Sequence, residues 1–297
     1  MRRGTYSVVV RDADTGALGV AVHSHWFSVG SIVSWAEPGV GAVATQSIVE
    51  PSYGPDLLAR LRTGKHPEPA LAALLAADAQ AEYRQVAAVD AAGRTTVHTG
   101  ARCIEHAGHV AGADFSCQAN MMARPGVPEA MAEAVSADPS PLPERLLAAL
   151  DAAEAAGGDV RGRQSAALLV VGPVGEPWER LVDLRVEDHA DPLGELRRLL
   201  SLHRAYEDAE RGDELTAEGR YTEAGAAYLA AATLAPESDE LLFWAGLGAA
   251  QGGDFEGGLA RVREAIERHP GWTDLLDRLE DDIAPSAAAV RAALGRG

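Results

Sequence analysis

The chain has 297 residues, of which 47% are hydrophobic and 24% charged, enough for two globular domains with apolar cores. Its formal net charge of −18 disfavours the phosphate backbone of a nucleic acid as a partner. No apolar run approaches the roughly 18 residues that a membrane span needs, and no signal-peptide pattern opens the chain. Two cysteines without CxxC spacing give no sign of a disulfide framework, so the composition favours a cytoplasmic protein.

The first two thirds of the chain show strand and helix patterns in blocks. Residues 5–10 alternate, the turn DADTG follows, and residues 17–25 form the returning strand of a hairpin. Further strands are predicted at 29–36, 40–46, 83–90, 95–100, 103–106, 115–120, 163–172 and 179–188, and helices at 51–64, 67–78, 127–137 and 142–158. Hairpin-linked strands with helices grouped in pairs predict an α+β domain of stacked antiparallel sheets covered by helices.

The last third of the chain carries a helical repeat. Residues 220–236 align with residues 254–270 at an offset of 34, the length of a tetratricopeptide unit. We expect a helix at 191–210 to join the two parts and residues 272–294 to cap the array. Residues 204–297 hold 9 Arg against 19 Asp and Glu, which favours basic partners. This all-α module is predicted to bind a protein or peptide, or to serve as packing surface, and the strand edges and repeats together favour a homodimer.

Gly4 and Thr5 stand at the start of the first strand and allow two interpretations. In one, Thr5 is an ordinary β-branched strand residue. In the other, the Gly4–Thr5 bond is cleaved and Thr5 becomes an N-terminal nucleophile whose own amine is the base. Ser7 lies on the same strand face and is the alternative hydroxyl. Arg2 is too large for ordinary removal of Met1, so aminopeptidase trimming alone would not expose Thr5.

Several stretches resemble one known family, namely YSVVVRDADTGALGVAV, GVGAVATQSIVEPSYGP, CQANMM, GDVRGRQSAALLVV and VDLRVEDHADP. Together they are similar to the mostly bacterial domain of unknown function 1028, over about residues 5–203. The resemblance implies that residues 1–203 form the four-layer αββα sandwich of N-terminal-nucleophile hydrolases, followed by the tetratricopeptide-like module at 204–297. It supplies no substrate.

The first hairpin is also similar to that of N-terminal-nucleophile hydrolases such as the proteasome β-subunits. In that class a Thr, Ser or Cys opens the first strand after self-cleavage, commonly behind a glycine. This sequence departs from the class at two points, since the third strand VGSIVSWA has no lysine and His23 replaces the aspartate of strand two. The departures favour an amidohydrolase acting on a small amide, or a member of the fold without activity, over proteolysis.

His23 and His25 share a strand face because side chains repeat every two residues along a strand. The pair could orient the Thr5 amine, bind substrate, or hold a metal ion together with a carboxylate. It could also form a hydrogen-bonded polar strip. Without further ligands of matching spacing, we predict no metal and no cofactor.

Other polar residues at strand ends are candidates for the site. Backbone N–H groups near Gln46 and Ser47, just before a helix, could point at a developing oxyanion. Asn120 could donate to the same oxyanion or tie a turn. Arg161, Arg163 and Gln164 could bind the substrate, and the alternative is a structural role in which an arginine anchors the neighbouring helix through Asp159 or Glu187.

The sequence therefore predicts hydrolysis of a small amide, with Thr5 as nucleophile if residues 1–4 are removed. The competing interpretation is a non-catalytic protein that binds a small ligand or a partner chain and uses the αββα fold and the repeats as a scaffold. A metal-dependent hydrolase is the third alternative.

Overall fold

A computed structural model describes residues 4–295 of the protein. The prediction that Arg2 prevents ordinary removal of Met1 lies outside these residues. By its internal contacts the chain divides into two units, Met1–Arg197 and Arg198–Gly297. Each unit has its own hydrophobic core.

Within the described part of the first unit, ten strands form two antiparallel sheets. The strands are β1 Thr5–Arg11, β2 Leu18–Ser24, β3 Ser34–Glu37, β4 Gly41–Ser47, β5 Arg84–Asp90, β6 Thr95–Thr99, β7 Gly108–Gly112, β8 Phe115–Asn120, β9 Ser165–Val171 and β10 Val182–Val186. The α-helices are α1 Gly30–Val33, α2 Tyr53–Arg62, α3 Pro67–Ala77, α4 Val127–Ala137 and α5 Leu142–Ala155. One sheet has the strand order β10-β9-β2-β1-β8-β7, and the other has the order β3-β4-β5-β6.

The two sheets face each other, and each is covered on its outer side by helices. Helices α4 and α5 pack against the six-stranded sheet, and α2 and α3 pack against the four-stranded sheet. Apolar side chains such as Val9, Val20 and Ala87 fill the space between the sheets. The predicted α+β class with antiparallel sheets is confirmed, while the finer assignment to the N-terminal-nucleophile sandwich stays a prediction.

Strand β1 lies inside the six-stranded sheet, between β2 and β8. Its side chains point alternately to the facing sheet and to the helices on the outer side. The Ser7 hydroxyl donates to Oε1 of Gln46 in the facing sheet, at 2.6 Å. The Tyr6 hydroxyl instead donates to Oε2 of Glu154 in α5, at 2.7 Å. Because successive side chains point to opposite faces, Thr5 shares the inter-sheet face with Ser7.

Two of the predicted strands are wrong. Residues 29–36 form the short helix α1 followed by β3, and the Val29 N–H donates to the Ser165 hydroxyl at 3.1 Å just before the helix begins. Residues 103–106 form a turn in which His106 has φ +58°, a conformation that regular strands exclude. The strand of this region begins later, at β7.

In the second unit the described residues are helical. The helices are α6 Pro192–Ala217, which contains the boundary between the units, α7 Tyr221–Leu234, α8 Asp239–Gln251, α9 Phe255–Arg268, α10 Gly271–Leu276 and α11 Ala287–Ala293. A Cβ at Gly258 would lie 2.4 Å from the carbonyl oxygen of Gly246, so α8 and α9 cross at a distance that only glycine permits. Helices α7 and α9 begin 34 residues apart, as the repeat predicts, but the tetratricopeptide assignment stays a prediction. No helix within residues 4–295 combines the length and apolarity of a membrane span.

Candidate functional site

Thr5 opens β1 and is held by a strand on each side. It lies opposite Ser24 of β2 in one ladder and opposite Asn120 of β8 in the other. Its exposed fraction is 1%. The Thr5 hydroxyl donates to the Ser24 hydroxyl oxygen at 3.1 Å. The nucleophile predicted from the sequence therefore has a fixed position and a hydroxyl neighbour.

The carbonyl group of Gly4, just before Thr5, accepts hydrogen bonds from two side chains. The Ser24 hydroxyl donates to it at 2.5 Å, and Nη2 of Arg161 donates at 2.9 Å. A continuous chain of hydrogen bonds thus runs from the Thr5 hydroxyl through Ser24 to the Gly4 oxygen. A hydroxyl and a guanidinium aimed at one carbonyl oxygen can stabilise negative charge that develops there.

Asp159 organises this side of the site. Its carboxylate is fully buried and accepts from Nε and Nη2 of Arg161 at 3.0 and 2.7 Å. It also accepts from the backbone N–H groups of Arg161 and His25, at 2.9 and 3.1 Å. The charge-assisted pair fixes the direction of the Arg161 guanidinium, which is what aims it at Gly4.

Two buried amide side chains hold the carbonyl group of Thr5, one from the facing sheet and one from the neighbouring strand β8. Nε2 of Gln46 donates to the Thr5 oxygen at 3.2 Å, and Nδ2 of Asn120 donates at 3.4 Å. Both amides also donate to Oε1 of Gln85, at 2.7 and 3.0 Å. Gln46 and Asn120 therefore contact Thr5. Their side-chain amides donate to the carbonyl oxygen of Thr5 itself, whereas the sequence predicts that this region donates to the oxyanion of a substrate.

Asn120 keeps an acceptor free for a ligand. Because its Nδ2 donates to Thr5 and to Gln85, the orientation of the amide is set by its partners. Its Oδ1 is buried and has no hydrogen-bond partner among the described residues. An unpaired buried acceptor costs about 1–3 kcal/mol, so a donor supplied here by an amine or an amide N–H would be stabilising.

His23 lies on the opposite face of the sheet from Thr5. Its ring stacks on Tyr6, with ring centres 4.7 Å apart, in the layer next to α5. Burial lowers the pKa of His23 to about 4, so the ring is neutral at physiological pH. His25 follows the end of β2 and reaches the site through its backbone, which donates to Asp159. The structure thus does not bring the His23 side chain to the predicted nucleophile.

The alternative hydroxyl, Ser7, is already engaged. It donates to Gln46 and accepts from Nε2 of Gln118, each at 2.6 Å. Ser7 is also completely buried. Its hydroxyl therefore acts as a link in the amide network beneath Thr5.

The remaining predicted residues lie apart from Thr5. Ser47 ends β4 with φ +70°, before the loop that leads to α2. Nε of Arg163 donates to Oε1 of Glu154 at 2.6 Å, and hydrogen bonds from Arg163 and Tyr6 lower the pKa of that carboxyl although burial opposes the shift. Nε2 of Gln164 donates to Asp188 at 3.1 Å. These contacts are the kind expected if Arg163 and Gln164 have a structural role, which was the alternative to substrate binding.

Arg161, which the sequence predicts to bind substrate or to pair with Asp159, does pair with Asp159 and also donates to the Gly4 carbonyl group. Sequence reasoning did not single out Ser24, Gln85 or Gln118 as members of the site. One of them had a usable signal, because the tight turn after β1 fixes a hairpin register in which Ser24 faces Thr5. The remaining residues reach the site through contacts between strands that are distant in the sequence, and no short sequence pattern predicts such contacts. Over the described residues, no group of three or more His, Cys, Asp or Glu side chains is arranged to hold a metal ion.

The second unit contains a cavity of about 690 Å³ with aromatic and acidic walls. Among the residues that line it are Tyr206, Tyr228, Trp244, Glu210, Asp213 and Glu240. The Tyr206 hydroxyl donates to Glu240 at 2.6 Å, and the Tyr228 hydroxyl donates to Asp213 at 2.7 Å. Aromatic faces beside carboxylates form a surface suited to a cationic group.

A family model described as "Family of unknown function (DUF1028)" matches residues 5–196. The chain belongs to this family. It is also similar to a solved structure, described as the crystal structure of protein SPO2555 from Silicibacter pomeroyi, family-model DUF1028. The two chains are 35% identical, with a TM-score of 0.61, and the similarity covers 66% of this chain and 88% of that chain. A search of curated proteins finds no match.

The family resemblance inferred from the sequence is thereby confirmed. The DUF1028 match begins at Thr5 and includes Ser24, Asn120, Asp159 and Arg161. These side chains around Thr5 are therefore part of the family domain, whereas Gly4 lies one residue before the match. The helical residues after 196 lie outside it.

Proposed function

We propose that this DUF1028 domain is an N-terminal-nucleophile amidohydrolase with the corresponding αββα fold, and that Thr5 is freed by self-cleavage of the Gly4–Thr5 bond. The observation that supports the proposal best is the hydrogen-bond chain from Thr5 through Ser24 to the Gly4 carbonyl, completed by Arg161. Both donors converge on the carbonyl group that self-cleavage would have to polarise.

The self-cleavage step uses the groups in place. Oγ1 of Thr5 attacks the carbonyl carbon of Gly4, the Thr5 proton passes to Ser24, and the Ser24 proton passes to the carbonyl oxygen. Arg161 stabilises the tetrahedral intermediate through the same oxygen. The carbon–nitrogen bond then breaks and the intermediate's hydroxyl proton moves to the nitrogen, which leaves an ester on Thr5 and a free amine. Water hydrolyses the ester and releases residues 1–4 as a carboxylic acid.

The same site then acts on an external amide. Loss of residues 1–4 uncovers Thr5, and its amine, with a pKa near 8, accepts the proton of the attacking hydroxyl. The substrate carbonyl oxygen takes the place of the Gly4 oxygen between Ser24 and Arg161. Oδ1 of Asn120 accepts a hydrogen bond from the new amine or from the substrate N–H. Gln46 keeps the Thr5 backbone in position.

The experiment that tests this function is the intact mass of the protein expressed without an N-terminal tag, beside a Thr5→Ala variant. We expect the parent to lose residues 1–4 and the variant to keep them. A Ser7→Ala variant is the matched control and should still be cleaved, because the Ser7 hydroxyl is engaged with Gln46 and Gln118. A Ser24→Ala variant should be cleaved about a hundredfold more slowly, since it lacks the proton relay. An uncleaved parent would exclude the function and leave the non-catalytic scaffold.

For the second unit we propose a tetratricopeptide-like module that binds a basic segment of a partner protein. The supporting observation is the cavity of about 690 Å³ with tyrosine and carboxylate walls, in a part of the chain with a large acidic excess. Calorimetric titration of the full chain with a hexa-arginine peptide should give binding, and hexaglutamate should give none. Glu210→Gln should weaken binding about threefold, whereas Glu264→Gln, at a residue paired with Arg268 outside the cavity, should not. Equal binding of both peptides would contradict the proposal.

A further inference from the structure

Gly4 is confined by the carboxylate of Asp159. A Cβ built at Gly4 would lie 2.7 Å from Oδ2 of Asp159 and 2.8 Å from its Cγ and Oδ1, closer than the 3.0 Å that real Cβ atoms respect. Crowding by Asp159 is therefore the reason that this position needs glycine.

Asp159 cannot move aside at low cost. Its side chain is completely buried and receives four hydrogen bonds, three from Arg161 and one from the backbone of His25. Two of them are charge-assisted contacts to the guanidinium. A displaced carboxylate would also release Arg161, which donates to the Gly4 oxygen. The wall beside the Gly4 α-carbon is thus rigid.

The crowded position beside Gly4 is also the place of the acyl group in turnover. Self-cleavage puts the Gly4 acyl group on Oγ1 of Thr5 with its oxygen between Ser24 and Arg161. An acyl-enzyme formed from a substrate is an ester on the same atom with the same donors. Its α-carbon therefore lies against Asp159, where Gly4 lies in the uncleaved chain.

We infer that the substrates of this site are amides of N-acylglycines, and that Asp159 excludes acyl groups derived from larger L-amino acids. The inference rests on the proposed function and names its substrate class. Thr5 attacks the glycine carbonyl and its proton moves to the Thr5 amine, which passes it to the leaving amine. Water then hydrolyses the ester, so that the products are an N-acylglycine and a free amine.

Self-cleavage tests the inference without any added substrate. Gly4→Ala should slow the appearance of free Thr5, measured by intact mass, at least about tenfold, because the added methyl group meets a packed wall. Gly108→Ala is the matched control, since it lies in β7, where a Cβ would meet no atom within 4 Å, and it should be cleaved like the parent. Equal cleavage of parent and Gly4→Ala would overturn the inference and leave the proposed function intact. An uncleaved parent would instead overturn the proposed function.

A second measurement uses the cleaved parent and Thr5→Ala, so it does not depend on whether Gly4→Ala folds. The p-nitrophenyl esters of N-acetylglycine and N-acetyl-L-alanine are compared, with Thr5→Ala as the baseline. We expect release of p-nitrophenol at least about tenfold faster from the glycine ester, and a mass increase on Thr5 for that ester. Equal rates for the two esters, or no acylation of a free Thr5 by either, would overturn the inference.

Discussion

Replacement of His23 by phenylalanine tests how the layer between the six-stranded sheet and α5 responds to pH. His23 is completely buried and stacks on Tyr6, and neither of its ring nitrogens has a hydrogen-bond partner among residues 4–295. Phenylalanine keeps an aromatic ring against Tyr6 and removes both nitrogens. We expect His23→Phe to be more stable than the parent in acid, by an amount that grows as the pH falls.

The size of the effect follows from the pKa of His23. Burial is the largest cause and lowers the pKa from 6.5 to about 4, against the opposing influence of Glu154 and Asp159. Since the pKa in the folded chain lies below that in the unfolded chain, the unfolded chain binds the proton first on acidification. The contribution of neutral His23 is therefore fully present above pH 6.5 and is lost as the pH falls towards 4. Between pH 7.5 and pH 4.5 this loss amounts to about 2.5 kcal/mol.

The assay is urea unfolding of parent and variant, followed by circular dichroism at pH 7.5 and pH 4.5. The 44 Asp and Glu residues titrate in both proteins, so the difference between variant and parent isolates His23. That difference in the free energy of unfolding should increase by about 2.5 kcal/mol from the higher to the lower pH. The same pH dependence in both proteins would refute the argument and would mean that His23 is hydrogen-bonded or solvated when folded.

Other contacts give expectations that urea unfolding or hydrogen exchange can check. Gln85→Leu should lower the free energy of unfolding by about 3 kcal/mol, because it leaves several buried partners unpaired, and a loss below 1 kcal/mol would contradict this. Arg84→Ala should lower the free energy of unfolding by about 3 kcal/mol, because it leaves Asp78 without its partner in a largely buried ion pair. This decrease should be the same at high salt. Gly258→Ala should lower the free energy of unfolding by about 2 kcal/mol and speed hydrogen exchange in α8 and α9, because the added methyl group would meet the Gly246 carbonyl oxygen. Unchanged exchange would contradict the close crossing of these helices.

The parts of the fold that could be predicted are those encoded in short stretches. The hairpin of β1 and β2 follows from alternation around a tight turn, and the paired helices follow from their apolar period. The strand predicted at 29–36 is wrong because the pattern there is short. Two residues four positions apart, such as Val29 and Val33, lie on the same face of a strand and also on the same face of a helix, so their burial does not distinguish the two. Where the pattern is that short, tertiary contacts decide, here the hydrogen bond from the Val29 N–H to the Ser165 hydroxyl.

Only those residues of the candidate site that lie at the ends of strands could be predicted from the sequence. Thr5 begins β1, Asn120 ends the neighbouring strand β8, and Gln46 lies near the end of β4 in the facing sheet, so their polarity at strand ends was visible in the sequence. His23 was misplaced relative to the nucleophile because alternation tells which residues share a face but not which face meets the other sheet. Asp159 and Arg161 lie in the loop after α5, and their approach to Gly4 depends on how that helix packs on the sheet.

Strand β1 is paired with β2 along its whole length and with β8 along nearly all of it, starting at Thr5 in both ladders. A cut before Thr5 therefore removes residues 1–4 while every strand keeps its neighbours. Processed and unprocessed chains would migrate alike in size and in spectroscopic signature, and would differ by the mass of four residues and by the two positive charges of Arg2 and Arg3. A preparation that is uniform by those criteria could still be a mixture, and its specific activity would report the fraction of chains that had matured.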